Sequence, residues 1–256
     1  MIPKKIHYCW FGGKELSSEA KECIASWKKY MPDYEIVEWN ETNVDINICD
    51  YVKEAYSQKK WAFVSDYFRF KILYEYGGIY VDTDVKFLKS LDHILEVGAY
   101  LGRETERDGG LVASGLGMAV EPNNEIFREM LEMYHNESFY NDDGSENLTT
   151  VVQRLTHILS KYGYREDAEY TKIQCINGIY IYPGEYFCPM GYNGVTNITE
   201  NTYTIHLYSA SWFSEIDRKI FQCSKKINSS GKLQRYWWIF RKKILEYSKK
   251  RKEKKC

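Results

Sequence analysis

Two aspartates stand two residues apart in Tyr80-Val81-Asp82-Thr83-Asp84. In an extended segment alternate side chains share a face, so Tyr80, Asp82 and Asp84 lie on one side. Two carboxylates held that close repel each other unless a cation reconciles them. Oxygen ligands suit Mg²⁺ or Mn²⁺, with a diphosphate completing the shell. Such an ion neutralises charge on a departing nucleoside diphosphate. The tripeptide alone arises easily by chance and reads equally well as a solvated turn after a strand. Upstream, Ser65-Asp66-Tyr67-Phe68-Arg69 places Asp66 and Arg69 at i, i+3, which makes them neighbours on a helix. That pair is either a surface ion pair of little worth, or a carboxylate for a sugar hydroxyl beside a guanidinium for phosphate or carboxylate.

The elements that must position these groups can be read from the pattern. Residues 2–10 form a strand that ends at Gly12-Gly13. Residues 17–30 form a helix capped by Ser17 or Ser18. Residues 34–39 alternate as a strand. A helix over residues 60–76 stops at Gly77-Gly78, and residues 79–85 follow as strand and then turn. This delivers the Asp66–Arg69 pair and the two aspartates to the same sheet edge. Further strands are predicted at 99–103, 111–120, 173–182 and 202–207, with helices at 123–135 and 148–161. The alternation specifies an α/β protein, a central sheet with helices on its faces.

With these residues in place, the sequence resembles a known family. The string Ser65-Asp66-x-x-Arg69, Tyr76-Gly77-Gly78-Ile79-Tyr80, Asp82-x-Asp84 resembles the D-x-D sugar transferases of glycosyltransferase family 32. That family includes bacterial capsule and O-antigen enzymes and fungal initiating α-mannosyltransferases, and it is similar to the glucosylating domains of clostridial toxins. Ile2-Pro3-Lys4-Lys5-Ile6-His7-Tyr8-Cys9-Trp10-Phe11-Gly12-Gly13 resembles its first strand and nucleotide loop. Thr204-Ile205-His206-Leu207-Tyr208-Ser209-Ala210-Ser211-Trp212 resembles its C-terminal His/Trp motif, although Leu207 and Tyr208 stand where many relatives have a second His or a Trp.

The resemblance implies a type A glycosyltransferase fold, Rossmann-like, and a nucleotide-sugar donor with Mn²⁺ or Mg²⁺. It also implies retention of anomeric configuration. Trp10 would stack on the base, in the nucleotide loop with Gly12, and Tyr80 would line the nucleotide pocket. Asp66 would bond the donor sugar, with Arg69 beside it. Asp84 would bind the metal directly, and Asp82 would meet the ribose and the metal's water shell. His206 would make a second metal or phosphate contact, with Ser209 or Ser211 as alternative ligands, and Ser211 and Trp212 would hold the diphosphate. Glu104 and Glu121 are candidates on the acceptor side. Taken singly, Trp10 and Tyr80 are strand aromatics that packing explains, and His206 is a strand histidine of the structural kind.

The expected reaction moves a hexose from a UDP-sugar, such as UDP-galactose, UDP-glucose or UDP-N-acetylglucosamine, to a hydroxyl of a lipid-linked surface glycan. A GDP-mannose-dependent α-mannosyltransferase is the alternative within the class. A haloacid-dehalogenase-like phosphatase also places D-x-D after an apolar strand, but it wants Thr or Val where this chain has Lys86. A nucleotide- or carbohydrate-binding module would need the pocket without the metal.

Composition sets the outer bounds. The chain has 256 residues, 44% of them apolar, and a net charge of -1. This suits one α/β domain rather than a disulfide miniprotein or a disordered chain. The charge is uneven: residues 232–256 carry 11 Lys/Arg against two Glu, so this tail holds +9 and the remaining 231 residues -10. We therefore expect a transferase domain over 1–231 and a basic amphipathic helix over 232–256. Trp237, Trp238 and Phe240 beside Arg241, Lys242 and Lys243 suit an anionic membrane surface. The acidic body argues against nucleic acid. Seven Cys without a C-x-x-C spacing read as free thiols rather than a zinc site or disulfide framework. The N-terminus lacks the apolar core of a signal peptide and no run is long enough to span a bilayer. The expected location is the cytoplasm, peripheral on the inner membrane face.

Overall fold

The computed structural model describes residues 1–106, 110–166, 168–191 and 196–209. The anticipated C-terminal helix, Ser211 and Trp212 lie outside these residues. The first half of the chain runs β1 (Lys5–Cys9), α1 (Ser18–Tyr30), β2 (Glu35–Trp39), α2 (Asp50–Ser57), α3 (Trp61–Tyr76), β3 (Gly78–Tyr80), β4 (Val85–Phe87), α4 (Asp92–Val97) and β5 (Ala99–Gly102). Then come β6 (Met118–Val120), α5 (Glu125–His135), α6 (Val151–Lys161), β7 (Gln174–Ile176), β8 (Ile179–Tyr182), α7 (Gly184–Phe187) and β9 (Thr204–His206).

Seven strands form one sheet in the order β2-β1-β3-β6-β5-β8-β7, and β4 pairs with β9 in a separate ribbon. β1 runs parallel to β2 and β3. β6 is antiparallel to both β3 and β5, β5 and β8 are parallel, and β7 returns antiparallel to β8. The N-terminal half is thus the parallel β-α-β arrangement that the sequence calls for, and the C-terminal half is mixed. Strand alternation feeds a core on each face. Tyr80, Leu101 and Met118 pack with α2, α3, α5 and α6, while Ile79, Val81, Tyr100 and Ala119 pack around Trp27 and Phe187.

Each element near the two aspartates has a local cause. α1 starts where the Ser17 hydroxyl accepts from the Ala20 N–H at 3.1 Å. Its Cys23 and Trp27 are buried, and the Trp27 indole donates to the Val85 carbonyl at 2.7 Å while Ser26 Oγ accepts from the Phe87 N–H at 2.9 Å. One helix face therefore holds β4, the segment directly after Asp84. α3 ends at Gly77 (φ 61°), followed by Gly78 (φ 96°). A Cβ on Gly77 would meet Pro122 Cδ at 2.7 Å, and one on Gly78 would meet the Lys5 carbonyl at 2.8 Å. Both the conformation and the space require glycine there. His7 locks this corner. Its Nδ1 accepts from the Trp39 indole at 3.1 Å, so its Nε2 donates to the Gly77 carbonyl at 3.0 Å. Burial pushes this imidazole down to about 4.

Two predicted elements differ, and α2 was missed. The stretch 111–120 is not one strand: a 3-10 turn at Ser114–Leu116 interrupts it, and only Met118–Val120 joins the sheet. Residues 173–182 fold as a hairpin, β7 and β8, about Asn177 (φ 48°) and Gly178. α2 was not anticipated, because its eight residues are too few to declare a period. No helix among the described residues is long and apolar enough to cross a membrane.

Candidate active site

β3 ends at Tyr80, and residues 81–84 turn across the C-terminal edge of the sheet. The Asp82 N–H donates to the Gly115 carbonyl at 3.2 Å, and the Asp82 carbonyl accepts from Val85 at 3.0 Å. The β4–β9 ribbon sets Val85 opposite His206, and the Leu207 N–H donates to the Asp84 carbonyl at 2.9 Å. Pairing at the end of the described chain therefore carries His206 to the aspartates. Tyr208 adopts φ 50°, and the next N–H, of Ser209, donates to Asp84 Oδ2 at 2.9 Å. The Ser209 hydroxyl turns to Glu19 instead.

Asp82, Asp84 and His206 each offer a ligand atom, all within 4.8 Å of one another. His206 Nε2 lies 3.1 Å from Asp84 Oδ1. Burial alone would raise the Asp84 carboxyl, but the imidazole and the hydrogen bonds outweigh it and hold the group at about 2. Burial lowers His206, and Asp84 more than restores it, so the imidazole is raised above its ordinary value. Its Nδ1 is buried without a hydrogen-bond partner. In this arrangement a proton on the imidazole offsets Asp84. Two carboxylates and one imidazole nitrogen are a donor set that a hard or borderline divalent ion accepts in the proton's place, so the residues fit such an ion.

Asp66 and Arg69 are not a surface pair. Their side chains are 13% and 5% exposed, and Arg69 Nη2 lies 2.9 Å from Asp66 Oδ1 and 3.2 Å from Asp82 Oδ1. Arg69 Nη1 donates to Ser114 Oγ at 3.0 Å, and the guanidinium sits 5.1 Å over the Tyr80 ring. Tyr80 is itself buried and donates its hydroxyl to Asp82 Oδ1 at 3.0 Å. Burial lifts the Asp66 carboxyl to about 6 against the pull of Arg69. Burial also raises Asp82, opposed by Arg69 and reinforced by Asp84. Three carboxylates, Asp66 buried and Asp82 and Asp84 partly buried, thus face one guanidinium and one imidazole, an excess of negative charge that favours a cation.

At the neighbouring end of β1, the Trp10 N–H donates to the Trp39 carbonyl at 2.9 Å, and its half-buried indole donates to the Lys14 carbonyl at 2.6 Å. Gly12 donates its N–H to Glu41, and a Cβ there would strike Trp61 Nε1 at 2.7 Å. Glu104 is buried, and its charge is among those that raise His206. Glu121 is exposed and paired with the N-terminal amine. Sequence reasoning missed Ser114 and Gly115. A Cβ on Gly115 would lie 2.2 Å from Asp82 Oδ2, so glycine there leaves room for the carboxylate. The only available signal was the Gly115-x-Gly117 break in an apolar run.

Residues 17–99, which hold α1, α3 and both aspartates, match the family model described as a glycosyltransferase sugar-binding region containing a DXD motif. Over these residues the chain is similar to the DXD glycosyltransferases. Over 113 residues it is 32% identical to inositol phosphoceramide mannosyltransferase 3 of Schizosaccharomyces pombe, covering 40% of this chain and 30% of that protein. The chain thus spans under a third of the length of this relative. Solved structures with a similar arrangement are more distant. The PaToxG glycosyltransferase is 22% identical, with 62% of this chain and 69% of that one covered and a TM-score of 0.49. The galactosyltransferase LgtC, solved with donor and acceptor sugar analogs, is 14% identical, with 88% and 96% covered and a TM-score of 0.44. The parallel β2-β1-β3 half, with helices on the faces of the sheet, agrees with the α/β class expected from the sequence.

Proposed function

We propose that the chain is a metal-dependent, retaining hexosyltransferase that takes its sugar from a nucleoside diphosphate. The observation that carries this reading is the convergence of Asp82, Asp84 and His206 beside the buried Asp66–Arg69 pair. Asp84, Asp82 and His206 would hold Mn²⁺ or Mg²⁺. The bound ion would offset charge on the diphosphate as it leaves. Trp10, Gly12 and Tyr80 would seat the nucleotide, with Ser211 and Trp212 on the diphosphate. Asp66 would accept from hydroxyls of the donor sugar while Arg69 balances its charge. The proton leaving the acceptor hydroxyl would pass to the departing phosphate oxygen.

A UDP-sugar is the favoured donor, and a hydroxyl of a lipid-linked surface glycan the acceptor. The domain would occupy 1–231, and the basic tail 232–256 would bring it to the inner membrane face. A second reading has GDP-mannose as donor, and the stretch shared with the yeast mannosyltransferase favours it. A phosphatase is disfavoured because its nucleophile would be Asp82, whose Oδ1 is held by both Arg69 and Tyr80.

The test is donor turnover with UDP-glucose, UDP-galactose, UDP-N-acetylglucosamine and GDP-mannose, with Mn²⁺ and with chelator. Asp84→Ala should lower turnover by at least about a hundredfold, comparable to losing a preorganised electrostatic contact, in protein that still unfolds cooperatively, at a somewhat lower temperature because His206 and the Ser209 N–H lose their partner. Near-normal, metal-dependent turnover in a folded Asp84→Ala protein would refute the assignment.

A further inference from the structure

Tyr208, just past the end of β9, holds a buried aromatic side chain at φ 50°. Sterics at Cβ make that left-handed conformation uncommon outside glycine, and an outlier for a bulky residue. What the turn achieves is visible on both sides of it. Extending the β4–β9 register would set residue 209 opposite residue 82. The turn instead brings the chain back to Asp84: the Leu207 N–H donates to its carbonyl and the Ser209 N–H to its Oδ2, each at 2.9 Å. Glycine would make the same turn without strain. A side chain kept at this position therefore needs a use of its own.

The ring lies edge-on against the imidazole, with the Tyr208 and His206 centroids 4.1 Å apart and the planes at 73°. His206 Nε2 faces Asp84 Oδ1, and its Nδ1 has no hydrogen-bond partner among the described residues. A ligating histidine is ordinarily oriented by a hydrogen bond from its second nitrogen. Without one, packing must set the angle of the ring, and Tyr208 supplies that packing. The hydroxyl holds Tyr208 in turn: a hydrogen bond joins it to the fully buried Cys188 Sγ at 2.9 Å. Cys188 directly follows α7, which also grips the start of β9. The Tyr203 N–H donates to the Tyr186 carbonyl at 2.8 Å, and the Thr204 hydroxyl to the Phe187 carbonyl at 3.2 Å. Phe187 stacks on Tyr100 of β5 at 4.7 Å, so α7 is itself seated on the main sheet.

We propose that Tyr208 is a positioning residue for the cation: its ring, tied to Cys188, fixes the His206 imidazole, and its left-handed turn returns the Ser209 N–H to Asp84. The inference rests on the reading of Asp84 and His206 as the metal's ligands. It makes the buried thiol after α7 a support for the ion rather than filling for the core.

Mn²⁺ titration of the full chain, followed by the free-ion signal in electron paramagnetic resonance, tests it beside a thermal melt. Tyr208→Gly keeps the turn and removes the ring. It should weaken Mn²⁺ binding about tenfold or more, the cost of losing a group that orients a ligating histidine. Tyr208→Phe keeps the ring on His206 and should recover most of that loss. What it still loses, about threefold for one modest hydrogen bond, should match the loss in Cys188→Ala. The double variant should be no weaker than the weaker single one, because both changes remove the same bond. A purely structural role would lower the melting temperatures and leave the Mn²⁺ affinity of the folded proteins alone. Folded Tyr208→Gly with parental Mn²⁺ affinity would overturn the proposal. So would losses that multiply in the Tyr208→Phe, Cys188→Ala pair, and that pair decides the matter if Tyr208→Gly does not fold. A parent protein that binds Mn²⁺ no better than Asp84→Ala would instead remove the reading of the metal site, and the inference with it.

Discussion

Arg69 divides its guanidinium between Asp66 and Asp82 and lies over Tyr80, so three groups on two elements share one positive charge. Gly115 closes this arrangement from the other side. Its φ is not in the left-handed region, and what forbids a side chain is the Asp82 carboxylate 2.2 Å from where a Cβ would be. Gly115→Ala should therefore fold, since the end of a side chain can move aside, with a stability loss of about 1 kcal/mol. The displaced Asp82 should weaken Mn²⁺ binding about tenfold or more. Calorimetric titration beside a thermal melt checks this, and undiminished Mn²⁺ affinity would remove Asp82 from the ion's surroundings. Asp82, Asp84, Asp66 and Arg69 were legible in the sequence because their spacing is local. Ser114 and Gly115 were not, because each reaches the site only through tertiary packing. His206 was legible through resemblance alone, since its own strand reads as ordinary.

The elements show the same division. α1 declared itself through its serine cap and α3 through its glycine stop; Ser17 does cap α1, and Asn124 and Thr150 cap α5 and α6, which the sequence showed only as helical stretches. The 111–120 run misled because composition alone cannot show that Gly115 and Gly117 break it at the Asp82 turn. β1, β2 and the end of α3 are joined by His7, which must stay neutral to accept from Trp39 while donating to Gly77. Its folded value of about 4 lies below the ordinary 6.5. The unfolded chain therefore takes up the proton first as pH falls. The stabilisation is complete above about 6.5 and is lost between there and about 4, by up to about 3 kcal/mol. Denaturant midpoints of the parent should decline across that interval more steeply than those of His7→Gln. Parallel declines would show that His7 does not drive this dependence.

At the scale of the whole molecule, an acidic body precedes a strongly basic tail. If the tail brings the enzyme to its acceptor, the full chain should sediment with phosphatidylserine vesicles and be released by salt, as screened charge requires. A chain ending at residue 231 should stay in the supernatant with donor turnover intact on a water-soluble acceptor. Equal partition of both chains would leave the tail without that role. The two-part charge pattern was plain in the sequence, whereas the two-layer core was not, since short apolar runs do not say which face they cover.

The ribbon of β4 and β9 sets a condition on the order of assembly. Two of the three grouped ligand atoms come from early in the chain, and the third is delivered by the last strand described. The seven-stranded sheet contains neither ribbon strand. A newly made chain can therefore complete its main sheet while still unable to grip a cation. Competence is conferred in a closing step, when the late strand docks beside the early turn and the loop entropy between them is surrendered.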